Sequence, residues 1–193
     1  VEYTASDGMR LWGYLWLPPG VTDARNLPMI VVPHGGPEGR DVWGFDPFAS
    51  SFASQGYAVF QPNFRGGGGF GRAFVTAGHG QWGGRMQADV ADAARHLIAS
   101  GVTDPNRICI TGWSYGGYVA MTASFMNADI FKCSVAGAGV ADLRAMLRWV
   151  LFALLTVAAL PFYFHLRARA LSPAITEARL QALMDKYGLE LIT

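Results

Sequence analysis

Ile108-Cys109-Ile110-Thr111-Gly112-Trp113-Ser114-Tyr115-Gly116-Gly117-Tyr118-Val119-Ala120-Met121 is the stretch whose reading decides the fold. It runs from a β-branched, apolar strand through a sharp turn into a helix, with G-x-S-x-G at the turn. A serine hydroxyl projects above a sheet from such a turn only if its backbone is held in a strained conformation. Gly112 and Gly116 flank it because strand and departing helix pass too close for side chains. The helix N-terminus adds positive potential and free N–H groups where an oxyanion would form. Ser114 is therefore the candidate nucleophile.

Working outward, Met29-Ile30-Val31-Val32 is a short apolar run, the pattern of a strand covered on both faces. His34-Gly35-Gly36-Pro37 follows it directly. In enzymes with this kind of serine turn, a backbone N–H from such a loop joins the N–H after the nucleophile to hold the oxyanion. Here those donors would be Gly36 and Tyr115. His34 precedes the serine and belongs to the loop, so it reads as structural and not as a catalytic base.

The remaining elements alternate. Residues 9–17 read as a strand stopped by Pro18-Pro19-Gly20, and Asp46-Pro47 as the cap and first turn of a helix closed by Gly56. Tyr57–Phe60 is another buried strand. Met86, Val90, Ala93, Ala94, Leu97 and Ile98 share one helical face within 82–100, before Gly101. Helix 116–126, strand 132–136 and a helix from about Ala141 complete the order. Strands alternating with helices imply an α/β fold with a doubly wound, mostly parallel sheet and function at the strands' carboxyl ends. The glycine-rich segment 66–71 lacks the strand–turn–helix setting of a dinucleotide site and reads as a mobile loop.

The formal net charge of +1 gives no nucleic-acid footprint. Two cysteines, Cys109 and Cys133, lie in apolar runs and read as buried free thiols; their number and spacing suit neither a disulfide framework nor a metal site. No cofactor or metal is expected. Val1 opens directly into strand-like sequence, so the chain reads as a piece of something longer.

Taken in order, HGGP, NFRGGGGFG, QWGGRMQADV, DPNRICITGWSYGGY and FKCSVAGAGVADLRAML resemble the catalytic domain of the prolyl oligopeptidase family. The acylaminoacyl-peptidase and dipeptidyl-aminopeptidase branch is the most similar. The resemblance covers residues 1–149 and implies a partial α/β-hydrolase domain, incomplete at its C-terminal strands. It implies a serine peptidase cleaving short or N-terminally blocked peptides through an acyl-enzyme at Ser114, usually with an N-terminal β-propeller. The alternatives are a carboxylesterase-type hydrolase, or a catalytically silent domain held to a membrane or partner.

Residues 150–193 fall outside the resemblance, where the family continues into strands whose loops supply the catalytic Asp and then His. Here Trp149–Leu166 is eighteen residues without a formal charge if His165 is neutral, between Arg144 and Arg148 on one side and Arg167 and Arg169 on the other. That length is near the lower limit for a bilayer span, which leaves membrane association open through 149–166. A continuous helix kinked or interrupted at Pro161 is expected, and then a short amphipathic helix over 174–187. The hydrolase part is expected in the cytoplasm; oligomeric state is not legible.

The triad partners of Ser114 do not announce themselves. His79 lies in the glycine-rich region, His96 reads as a solvent-facing helix residue, and only His165 follows the serine. Asp129 and Asp142 stand between Ser114 and His165, but Asp142 reads as a helix cap; Asp185 has no histidine after it. The chain alone is expected to hydrolyse peptides feebly, for want of a base.

Overall fold

The structure is a computed structural model that describes residues 1–170, 181–182 and 185–186. It has two compact units, Val1–Ala141 and Asp142–Thr193. The first contains β1 (Glu2–Thr4), β2 (Arg10–Trp16), β3 (Leu27–Val31), α1 (Pro47–Ser54), β4 (Ala58–Asn63), α2 (Arg72–Thr76), α3 (Arg85–Ala99), β5 (Thr103–Trp113), α4 (Tyr115–Met126) and β6 (Cys133–Gly137). The second contains α5 (Leu143–Ala170).

The six strands form one sheet in the order β1-β2-β4-β3-β5-β6. β4, β3, β5 and β6 run parallel, while β2 joins β4 and β1 joins β2 antiparallel. The sheet is thus mostly parallel, as expected, with an antiparallel ribbon at one edge. Its two faces separate by strand alternation. Met29, Val31, Phe60, Ile108 and Ile110 join one core with Met86, Val90, Ala94 and Leu97 of α3 and Val119 and Ala123 of α4. Val59 packs on the opposite face with Ala49 and Ala53 of α1. Helices on both faces make the sheet doubly wound.

Local chemistry sets the helix ends. Asp46 caps α1 by accepting from the Ala49 N–H at 2.7 Å, with Pro47 behind it. The apolar face read for α3 is buried, Ile98 only partly, while His96 faces solvent. Gly101 ends that helix at φ +76°, a conformation open to glycine.

Three expectations are corrected. Cys109 and Cys133 are not buried free thiols: they form a disulfide, with Cys109 partly buried and Cys133 exposed. The cause is register, because β5 and β6 place the two residues directly opposite one another with Cα atoms 4.7 Å apart. The glycine-rich loop is not a free one either. Phe64, Arg65, Gly66 and Gly67 are buried. The Arg65 guanidinium donates to both Asp89 oxygens (2.8 and 2.7 Å) and both Asp7 oxygens (2.7 and 2.9 Å), and its backbone N–H donates to Asp89 at 3.0 Å. Finally, β5 begins at Thr103 instead of Ile108: Thr103 pairs with Leu27, and the register shifts before Met29 pairs with Ile108.

In the second unit, Asp142 Oδ1 accepts from the N–H groups of Arg144 and Ala145, both at 2.9 Å, and so caps α5 as read from sequence. The helix runs continuously through Pro161, without the interruption allowed for there. The amphipathic helix over 174–187 lies largely outside the described residues.

Candidate active site

Ser114 sits at φ 57°, ψ −116°, between the last residue of β5 and the first of α4. An L-residue with a side chain reaches this region only under strain, and the surroundings hold it there. Its N–H donates to Gly137 O of β6 at 2.9 Å, and its carbonyl accepts from the Tyr118 N–H of α4 at 3.0 Å. The glycines explain why strand and helix can approach so closely. A Cβ on Gly112 would stand 2.6 Å from the Gly116 carbonyl carbon, and one on Gly116 would run into the Pro33 carbonyl at the end of β3.

The His34-Gly35-Gly36 loop runs beside this turn. A Cβ built on Gly35 would lie 3.6 Å from Ser114 Cβ and 3.2 Å from the Trp113 carbonyl. Gly36 is exposed at φ +129°, where only glycine is comfortable, and any side chain would meet the Glu38 and Gly39 amides. Tyr115 is the first residue of α4, so its N–H has no carbonyl one turn earlier within the helix. Its ring is buried against Trp82, Phe64 and Tyr118, its hydroxyl lies 3.6 Å from Met86 Sδ, and burial pushes its phenol well above its ordinary range.

The histidines are dispersed. His34 stacks on Phe64 with centroids 4.2 Å apart, and its Nδ1 lies 2.9 Å from the Gly35 carbonyl. Burial lowers its pKa against the effect of that hydrogen bond, which favours the neutral ring with Nδ1 as donor. Its Nε2 is buried without a partner. It fastens the His34–Gly36 loop to Phe64, in keeping with a structural reading. His79 is exposed, 4.0 Å from Glu38, and His96 is exposed beside Tyr3. Asp129 is exposed, 3.9 Å from Arg95. The side chain of His165 lies outside the described residues. Among those described, Ser114 Oγ makes no hydrogen bond with a histidine or carboxylate.

A cleft of about 440 Å³ opens beside the turn on the α1 side of the sheet, lined among others by Gly35, Asp41, Phe48, Gln61, Trp113 and Val135. Sequence reasoning passed over Asp41. Its backbone is tied to Asn63 in both directions, at 2.9 and 3.3 Å, which draws its side chain inward. Oδ1 accepts a long 3.5 Å bond from Gln61, and Oδ2 is buried without a partner. Burial, and then the charge of Asp46, raise this carboxyl to about 7. Nothing in the pattern Gly39-Arg40-Asp41-Val42 signals such burial.

A strained serine, close-packed glycines and an adjoining glycine loop stand together at this turn. The family model for the prolyl oligopeptidase family matches residues 43–156. The chain belongs to the prolyl oligopeptidase family. It is 38% identical over 157 residues to dipeptidyl aminopeptidase BIII of Pseudoxanthomonas mexicana, covering 78% of this chain and 23% of that protein. Against dipeptidyl peptidase family member 6 of Caenorhabditis elegans it is 33% identical over 167 residues, covering 76% and 23%. The solved structure of a Mycobacterium tuberculosis puromycin-hydrolyzing peptidase superposes with a TM-score of 0.69 at 30% identity, over 75% of this chain and 23% of that one. The fold is therefore a partial α/β-hydrolase fold. The chain spans about a quarter of the length of the relatives it matches.

Proposed function

We propose that the first unit is the nucleophile-bearing part of a serine peptidase acting on short or N-terminally blocked peptides. The observation that carries this is the Ser114 backbone, held at φ 57° between Gly112 and Gly116 with the Gly35–Gly36 loop alongside. In the reaction, Ser114 Oγ attacks the peptide carbonyl carbon and its proton passes to a general base. The N–H groups of Gly36 and Tyr115 hold the developing oxyanion. The amine then leaves with that proton, and water releases the acyl group from Ser114.

The base is not assigned to a residue of this chain; relatives of this kind carry it on Asp- and His-bearing strands that follow the part the chain resembles. None of the described histidine side chains is bonded to Ser114. Without a base the hydroxyl is a poor nucleophile near neutral pH, and the oxyanion site and binding alone leave about 10³–10⁴-fold acceleration over water. The Cys109–Cys133 bond suits an oxidising compartment, and supports that location over the cytoplasmic one expected from sequence.

The test uses this chain and a longer one that restores the later strands. The longer chain turns over peptide p-nitroanilides and reacts stoichiometrically with a fluorophosphonate, and Ser114→Ala abolishes both. The 193-residue chain labels slowly and turns over feebly. Turnover in the longer chain that survives Ser114→Ala overturns the assignment.

A further inference from the structure

α5 is a 28-residue helix whose first nineteen residues, Leu143–Pro161, include no buried side chain. Its exposed apolar residues do not form a stripe. Leu151, Phe152, Leu154, Leu155 and Val157 are 59–70% exposed, and at 100° per residue they point around most of the helix circumference. A helix that packs on one protein groove keeps a polar face toward water; one that is apolar all round belongs in a core or in hydrocarbon.

Four further observations single out hydrocarbon. The uncharged run Trp149–Leu166 is eighteen residues, which at ~1.5 Å per residue spans about 27 Å, close to the ~30 Å of a bilayer's apolar interior. The run is bracketed by Arg144 and Arg148 before it and Arg167 and Arg169 after it, and no acidic residue occurs from Leu143 to Thr176. Two arginine pairs one bilayer thickness apart match two layers of phosphate headgroups, which long side chains reach by snorkelling. Inside the run, the Thr156 hydroxyl donates to the Phe152 carbonyl one turn earlier at 2.8 Å, so this polar group carries its own partner into an apolar medium. Trp149 sits at the head of the run, 71% exposed, where an aromatic ring suits the headgroup boundary.

We propose that α5 spans a lipid bilayer and anchors the chain to an anionic membrane. The partner is lipid; a protein groove and a second copy of this chain are the occupants the experiment discriminates against. The inference stands apart from the chemistry of Ser114, and its readout is partition, not turnover.

The full chain is synthesised in the presence of phosphatidylcholine–phosphatidylglycerol vesicles, floated on a sucrose gradient and washed with alkaline carbonate. The expected result is that it floats and resists the wash, while Leu151→Lys/Leu155→Lys shifts at least about tenfold toward the soluble fraction. The spanning depth is read separately with Thr156→Cys, whose thiol an impermeant maleimide labels only after detergent is added. A wild-type chain that carbonate strips from the vesicles overturns the proposal. So does a discrete detergent-free oligomer that the double lysine variant converts to monomer, and so does labelling of Thr156→Cys in intact vesicles.

Discussion

β4 and β6 are strands of the same parallel sheet, yet every residue of β4 is buried and no residue of β6 is. β4 lies between β2 and β3, covered by α3 on one face and α1 on the other. β6 has β5 beside it and α4 on one side, while Val135 and Ala136 stay exposed. The Ser114 turn lies at the end of β5, between the covered half and the open half. Its backbone geometry draws on both halves: on close packing at Gly112, Gly116 and Pro33, and on the Ser114 N–H bond to Gly137 of β6. The strained serine is thus fully formed although, among the described residues, no histidine or carboxylate is hydrogen-bonded to it.

The largest effect is expected where burial is deepest. Arg65 extends β4 into the core, where Asp89 is fully buried, and burial keeps the Asp89 carboxyl above its ordinary range despite Arg65's hydrogen bonds. Arg65→Met leaves that carboxyl with the backbone N–H of residue 65 as a partner but without its counter-charge, which costs about 3–5 kcal/mol. Urea unfolding measures it, and Arg65→Met/Asp89→Leu should recover part of the loss. The same arginine holds Asp7 down at about 2, its largest cause being the Arg65 hydrogen bonds. A depressed carboxyl contributes stability that is present above its unfolded pKa and lost as pH falls from about 4 toward 2. The acid limb of the stability curve should therefore flatten in Arg65→Met.

On the open side, the Cys109–Cys133 bond ties β6 to β5 across a sequence separation of 24 residues. A crosslink of that length stabilises by about 3 kcal/mol on chain-entropy grounds. Cys133→Ser should cost that much by chemical unfolding under non-reducing conditions, and reduction of the wild type should cost the same. Equal stability of reduced and oxidised wild type would show that the crosslink adds nothing to the β5–β6 pairing.

Much of the covered half was legible in the sequence. β3 and β4 read as continuous apolar runs because both faces are covered, and α3 read by its periodicity. The turn at Ser114 was legible because its glycines are required by contact. What escaped were properties set by partners distant in sequence. Glycines around Arg65 suggested freedom, but Asp7 and Asp89, 58 and 24 residues away, pin the loop. Two cysteines gave no pairing signal, since their bond depends on the β5–β6 register. The polar start of β5, Asp104 to Arg107, hid a strand whose first residue pairs with Leu27.

The cleft between the two halves supplies a smaller effect of opposite sign. Asp41, raised to about 7, prefers its protonated form in the folded chain. A raised carboxyl makes folding less favourable as pH climbs from about 4 to 7, after which the penalty is constant. Asp41→Asn should therefore be close to neutral in stability at pH 5 and stabilising at pH 8, by about 1–3 kcal/mol. Urea midpoints at the two pH values read the difference, and an Asn variant destabilised equally at both would show that Oδ2 has a partner in solution.

The smallest effect separates two roles of Asp46, which caps α1 and also repels Asp41. Asp46→Ala loses the bond to the Ala49 N–H and should cost about 1 kcal/mol. Asp46→Asn retains a capping oxygen of comparable quality, so the α1 terminus should hold. Both variants remove the charge that helps to raise Asp41, so both should move the Asp41 titration to lower pH. The stability difference between Ala and Asn at any one pH then reports the cap alone, and the common shift of the pH profile reports the charge. If only the Ala variant shifts the profile, the effect on Asp41 comes from disorder of the α1 terminus and not from the Asp46 charge, and Asp41 would owe its raised carboxyl to burial alone.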